Sequence, residues 1–160
     1  MNRRTIVMLT GTVLALVIVA LPQSVFAQSD PFLGTWQLNL AKSKYSPGPA
    51  PKSQTVNIQA EGQDHKFTIT ATDPAGKTTT SVVMRTYDGM PHPVAGNPDY
   101  DTEAATRADP YTVIISRMKG GKLVEAISMI VSADGRTRTF TDTGVDATGG
   151  FNDVAVSEKQ

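Results

Sequence analysis

Phe32-Leu33-Gly34-Thr35-Trp36-Gln37-Leu38-Asn39-Leu40 holds the only tryptophan of the 160-residue chain, and its reading decides the fold. Gly34 has no Cβ, so the backbone there can turn tightly and be approached closely. Trp36 brings the largest single apolar surface in the chain, with an indole N–H that needs a partner once buried. The preceding Asp30-Pro31-Phe32-Leu33 reads as a short turn feeding a strand from Gly34 to Asn39. Everything downstream reads as strands wrapped around that tryptophan.

The segment Lys42 to Lys52 carries Pro47, Pro49 and Pro51, which remove backbone donors and cannot sit inside a sheet or helix. It is expected to be a long irregular loop. From Gln54 onward the pattern is strand after strand. Val56, Ile58 and Ala60 alternate with polar neighbours, and Phe67, Ile69 and Ala71 repeat the alternation. Pro74-Ala75-Gly76 is a turn, and Lys77 to Tyr87 returns as a Thr- and Val-rich partner. The stretch 88–101 reads as loop, with one extended step at His92 to Val94. Thr102 to Arg107 is a polar strand.

Tyr111 to Met118 and Lys122 to Ser132 flank Gly120-Gly121, a two-residue hairpin signal, and Asp134-Gly135 leads into Arg136 to Thr143. A Gly-rich corner, Gly144 to Gly150, precedes a last strand from Phe151 to Lys159. No long stripe of apolar residues at helical spacing occurs. The expected fold is therefore all-β: an up-and-down antiparallel β-barrel of eight to nine strands with almost no helix, closing on itself to remove its edges. A two-layer sandwich is the alternative.

The chain's start reads as an address. Met1-Asn2-Arg3-Arg4 is basic, Thr5 to Leu21 is apolar, and Val25-Phe26-Ala27 offers small residues where a signal peptidase reads. A secretory signal peptide over 1–27 is expected, leaving 28–160 as one barrel domain in the periplasm or outside the cell. An uncleaved anchor is the rival reading; after cleavage no span remains. Losing Arg3 and Arg4 leaves thirteen basic against fifteen acidic residues, which argues against a nucleic-acid partner. The lack of cysteine excludes disulfides, thiolate metal sites and a cysteine nucleophile.

Taken whole, the mature chain resembles small exported bacterial lipocalin-like proteins of unassigned function, of the calycin type. The residues that carry the likeness are Gly34 to Asn39, the 42–52 segment, Asp88-Gly89 with Pro93, Gly96-Asn97-Pro98, and Val154 to Lys159. The resemblance implies that Trp36 plugs the closed end of a barrel beneath a ligand cavity. It implies that the 42–52 loop folds over the open mouth, and that a basic residue near the barrel's end lies over the indole. By position Lys159 takes that part, so Gly34, Trp36 and Lys159 form the expected structural motif. The second lipocalin motif with its Thr-Asp is not evident, and the helices that cap fatty-acid-binding proteins have no counterpart.

Small barrels are either filled by side chains or hold one small ligand. Pairing across Gly120-Gly121 is expected to set Arg117 opposite Val124 and Ile115 opposite Ala126. Pairing across Asp134-Gly135 sets Met129 opposite Phe140, Val131 opposite Arg138 and Ile127 opposite Asp142. One face then carries Leu123, Ile127, Met129, Val131 and Phe140 with Glu125, Arg138 and Asp142. The other carries Tyr111, Val113, Ile115, Val124 and Ile130 with Arg117. Arg85, Arg117 and Arg138 lie within β-forming runs. Each either points inward, where it can hold a carboxylate head group, or lies on the solvated face. Tyr87 and Tyr111 either line a pocket or pack at its rim. The candidate ligand-binding set is thus Trp36, Arg85, Tyr87, Tyr111, Ile115, Arg117, Met129, Arg138 and Phe140.

His65 and His92 have no second ligand at metal spacing, and Asn97 to Asp101 lacks the spacing of a calcium loop, so no metal is expected. No nucleophile elbow or phosphate-cradling loop occurs, and no cofactor or catalytic residue is assigned. Three functions compete: a carrier of a small apolar or amphipathic molecule, a solid barrel that meets an envelope protein through its 42–52 and 88–101 loops, and an enzyme using Glu125 with Arg117 or Arg138.

Overall fold

The computed structural model describes residues 30–146 and 149–160; the expected signal peptide lies outside them. One continuous antiparallel sheet accounts for almost everything. Its strands are β1 (Gly34–Leu38), β2 (Ser53–Glu61), β3 (Asp64–Thr72), β4 (Thr78–Arg85), β5 (His92–Pro93), β6 (Thr102–Asp109), β7 (Thr112–Lys119), β8 (Lys122–Val131), β9 (Thr137–Asp146) and β10 (Gly149–Lys159). Their order is β4-β3-β2-β1-β10-β9-β8-β7-β6-β5, an up-and-down meander in which the last strand returns to pair with the first. The single helical element among the described residues is a 3-10 turn at Leu40–Lys42. The chain makes one sheet curled on itself, not two stacked layers.

There are ten strands, not eight or nine. The extra one is the two-residue β5, whose His92 and Pro93 pair with Glu103 and Thr102. Gly144 does not break the chain into a corner either. It continues β9, paired with Glu125 and Phe151, and has to be glycine because a Cβ there would meet Val124 O at 2.5 Å and the Phe151 ring at 2.8 Å. Ala60, expected to face inward, is exposed.

The register across Asp134-Gly135 is the expected one, with Met129 opposite Phe140, Val131 opposite Arg138 and Ile127 opposite Asp142. Across Gly120-Gly121 it differs. Arg117 faces Glu125 and Ile115 faces Ile127, because the register shifts by one residue between Arg117 and Met118. A β-bulge inserts one unpaired residue and so exchanges the faces beyond it. Val113, Ile115 and Arg117 therefore join Ile127, Met129 and Phe140 on the inner face. Leu123, expected there, is 63% exposed.

The core gathers at one end around Trp36, which is fully buried with Phe32, Ile58, Val113, Ile115 and Val131. The turn at Pro31–Phe32 tucks beneath the indole, whose Nε1–H donates to Phe32 O at 2.8 Å, so the buried donor is satisfied. Lys159, directly opposite Trp36 in the β1–β10 register, sets its Nζ 5.0 Å from the ring centroid. The same Nζ donates to Pro31 O at 3.1 Å.

The sheet does not close by backbone pairing. Its edges, β4 and β5, share no ladder. Partial closure comes from the chain after β4, where Asp88 bridges Thr106 and Gly89 N–H donates to Ala105 O at 2.9 Å. Below this, Tyr87 Oη lies 3.1 Å from His65 Nδ1, and His65 Nε2 lies 3.1 Å from Asp30 Oδ2. Arg107 from β6 donates to Asp30 and stacks over Tyr87 at 4.8 Å. Burial, more than any neighbouring charge, holds the His65 imidazole below its ordinary pKa, so it is neutral at pH 7.

Gly34 adopts φ +123°, and a Cβ there would sit 2.9 Å from Lys159 Cε, the side chain that covers Trp36. Gly34→Ala is therefore expected to destabilise the fold by about 1–3 kcal/mol. Urea unfolding followed by Trp36 emission measures the loss.

Candidate functional site

On the inner side of the sheet, above the Trp36 core, lies a cavity of about 260 Å³, a little below the usual range for ligand sites. Val56, Phe67, Ile69 and Val83 form one apolar wall, and Met129, Phe140 and Ala155 the other. Alternation along each strand explains this lining, since every second residue of a half-buried strand points inward. Tyr45 and Gln54 also line it. Tyr45 comes from the Pro-rich segment, which is fastened along β10 by Lys44 N–H to Val154 O at 2.7 Å and Asn152 N–H to Ser46 O at 2.8 Å.

All three candidate arginines point inward and line the cavity. Two are neutralised. Arg85 grips Glu103 with two bonds, Nε to Oε1 at 2.7 Å and Nη2 to Oε2 at 3.2 Å, and so spans the seam between β4 and β6. Arg117 donates from Nε to Glu103 Oε2 at 2.9 Å and from Nη1 to Glu125 Oε1 at 2.6 Å. Burial pushes the Glu103 carboxyl up, but the two guanidiniums outweigh it and hold the group below its usual range. Burial likewise works against charged Arg117; Glu125 and Glu103 overcome it and raise its pKa.

Arg138 is different. It is only 4% exposed, its Nε has no hydrogen-bond partner, and among the described residues no carboxylate pairs with it. Its guanidinium lies 5.5 Å above the Trp36 ring, a cation–π contact that compensates only part of the lost hydration. Burial, with Arg85 adding, pulls its pKa down to about 10, so it remains charged at pH 7. Asp142, four residues along the same strand, also lines the cavity and carries a buried Oδ1 without a partner. Burial first, then a hydrogen bond with Glu125 and that residue's charge, push the Asp142 carboxyl up to about 8. Around the cavity Arg85, Arg117 and Arg138 stand with the carboxylates of Glu103, Glu125 and Asp153, and among the described residues Arg138 is the one of the three arginines with no carboxylate bonded to it.

Of the candidate residues, Arg85, Arg117, Met129, Arg138 and Phe140 line the cavity. Trp36 forms the layer beneath Arg138 without reaching the cavity wall. Ile115 is fully buried in the core, Tyr111 packs against that core, and Tyr87 belongs to the His65 cluster. Bulk and amphipathicity mark such residues as buried but do not say at which height of the barrel. Val56, Phe67, Ile69, Val83 and Glu103 were absent from the sequence-derived set, although their alternation already marked the first three as inward-facing. Asp30, His65 and Arg107 come together from three separate segments, with no local motif to announce them. Among the described residues no group of three or more His, Asp or Glu is arranged to hold a metal ion.

A ten-stranded, up-and-down antiparallel barrel with an internal cavity defines a calycin-type fold. No family model matches the chain, and no curated protein matches it by sequence. Solved structures do. A fatty acid binding protein of Schistosoma mansoni in complex with arachidonic acid aligns with TM-score 0.57 at 11% identity, covering 81% of this chain and 96% of that one. Zebrafish ileal bile acid-binding protein complexed with cholic acid aligns with TM-score 0.50 at 18% identity, over 81% and 99%. As-p18, an extracellular fatty acid binding protein, gives TM-score 0.50 at 12% identity, over 82% and 97%. At these identities the likeness is one of fold.

The raised Asp142 carboxyl has a consequence for stability. It ionises near pH 4 in an unfolded chain and near 8 in the fold. Its contribution is complete below about pH 4 and is lost as the pH rises through about 8. Asp142→Asn is expected to flatten the dependence of Tm on pH and to be more stable than the parent at about pH 9. Calorimetric melting across that range checks it.

Proposed function

We propose that this chain binds one small amphipathic acid inside the barrel, with its carboxylate on Arg138 and its hydrocarbon body against Phe67, Ile69, Met129 and Phe140. The observation that carries this reading is the buried guanidinium of Arg138, which has no anionic partner among the described residues while its two neighbours have theirs. A carboxylate that enters supplies charge-assisted hydrogen bonds where water is scarce. The apolar walls remove the remainder of such a molecule from water, at roughly 25 cal/mol per Å². The solved relatives of this fold bound to arachidonic acid and cholic acid support the same ligand class. The basic start and the Val25-Phe26-Ala27 site support export, so the binding is assigned to the periplasm or the cell exterior.

Trp36 lies beneath Arg138, so its emission reports on occupancy. Titration with decanoate is expected to change that emission saturably, and decanol is expected to bind at least about tenfold more weakly, since it offers no charge. Arg138→Met should lose most of the affinity for decanoate yet gain about 1–3 kcal/mol of stability, because it removes a buried charge that lacks a partner. Equal affinity for the acid and the alcohol, or no binding of decanoate, laurate or palmitate, overturns the reading.

A further inference from the structure

Two buried side-chain atoms that face the cavity have no partner among the described residues: Arg138 Nε and Asp142 Oδ1. Both lie on β9, an even number of residues apart, and so point to the same side. The rise along a strand separates their Cα atoms by about 13–14 Å. Between them stands Phe140, with Met129 directly opposite. The cavity is thus polar at both ends and apolar in the middle.

We infer that the ligand carries a hydrogen-bond donor, a hydroxyl or an amine, at the end remote from its carboxylate, and that Asp142 accepts from it. This rests on the assignment of the carboxylate to Arg138. A plain fatty acid would satisfy Arg138 but press its methyl end against Asp142, leaving a buried carboxyl oxygen dry. A second carboxylate is disfavoured, because the groups at that end are Glu125, Asp142 and Asp153, and Arg117 is already held by Glu125 and Glu103. An acceptor-only group has nothing to donate to Oδ1. A donor satisfies the oxygen directly, and an amine adds attraction to the surplus of acid.

The test compares decanoate, ω-hydroxydecanoate, ω-aminodecanoate and sebacate by calorimetric titration of the full mature chain. At least one of the hydroxy and amino acids is expected to bind about tenfold more tightly than decanoate, and sebacate more weakly, as one added or missing buried hydrogen bond commonly makes. Asp142→Leu should abolish that preference. Asp142→Asn, closer in shape, should narrow it without loss of folding. Which donor binds more tightly, the amine or the hydroxyl, identifies the group, and either result supports the inference. If decanoate binds through Arg138 and neither donor-bearing acid binds more tightly, or if Asp142→Leu leaves the preference intact, the inference falls and the carboxylate assignment stands. If no acid binds, both fall.

Discussion

The structure depends on how Trp36 is buried. A fully buried indole at one end of a curled sheet needs its N–H satisfied and its face covered, and the chain supplies both from sequence neighbours and from the far terminus. Phe32 O takes the N–H, and Lys159 lies over the ring. Because β10 must bring Lys159 opposite Trp36, the last strand is pinned to the first. That pairing joins the two halves of the meander into one sheet. Arg138 completes the arrangement from the cavity side. Its guanidinium can remain charged beneath a mostly apolar chamber because the indole's π-face lies under it.

From that floor upward, the interior is organised by charge as much as by shape. Glu103 and Glu125 fix Arg85 and Arg117 in a chain of bonds that runs from β4 through β6 and β7 to β8. Asp142 stays largely protonated near neutrality, beside Glu125. The rigid, fully bonded part of this network and the under-satisfied part on β9 are neighbours across one small cavity. Buried polar networks that are incomplete are costly to a fold, and here the incomplete part faces the cavity.

Much of this could be read along the chain. The alternation of Val56 and Ile58, of Phe67 and Ile69, and the Asp134-Gly135 turn carry enough local information to place strands, and in the last case the register too. The Gly120-Gly121 hairpin shows where local reading stops. Its turn is evident, but the shift between Arg117 and Met118 is not encoded in any turn residue, and one residue exchanges the two faces of β7. The inward direction of Arg117 follows from that geometry. Whether a charged residue in a strand faces water or the interior depends on partners far away in sequence, such as Glu103 for both Arg85 and Arg117. The His65, Asp30 and Arg107 cluster is likewise a product of closure, visible only once the sheet has curled.

The missing ladder between β4 and β5 makes the molecule a split ring rather than a hoop. Elsewhere around its circumference, widening would break a continuous row of backbone hydrogen bonds. Along this one line the ring is completed by the short Asp88–Thr106 bridge with the Gly89 N–H to Ala105 O bond, the Arg85–Glu103 grip and the contacts of Tyr87 with His65 and Arg107. The circumference can therefore adjust by exchanging a few contacts, while the strand that carries Arg138 and Asp142 keeps their spacing. Compliance is confined to one side of the cylinder, and the fixed spacing of its two under-satisfied polar groups lies on the other.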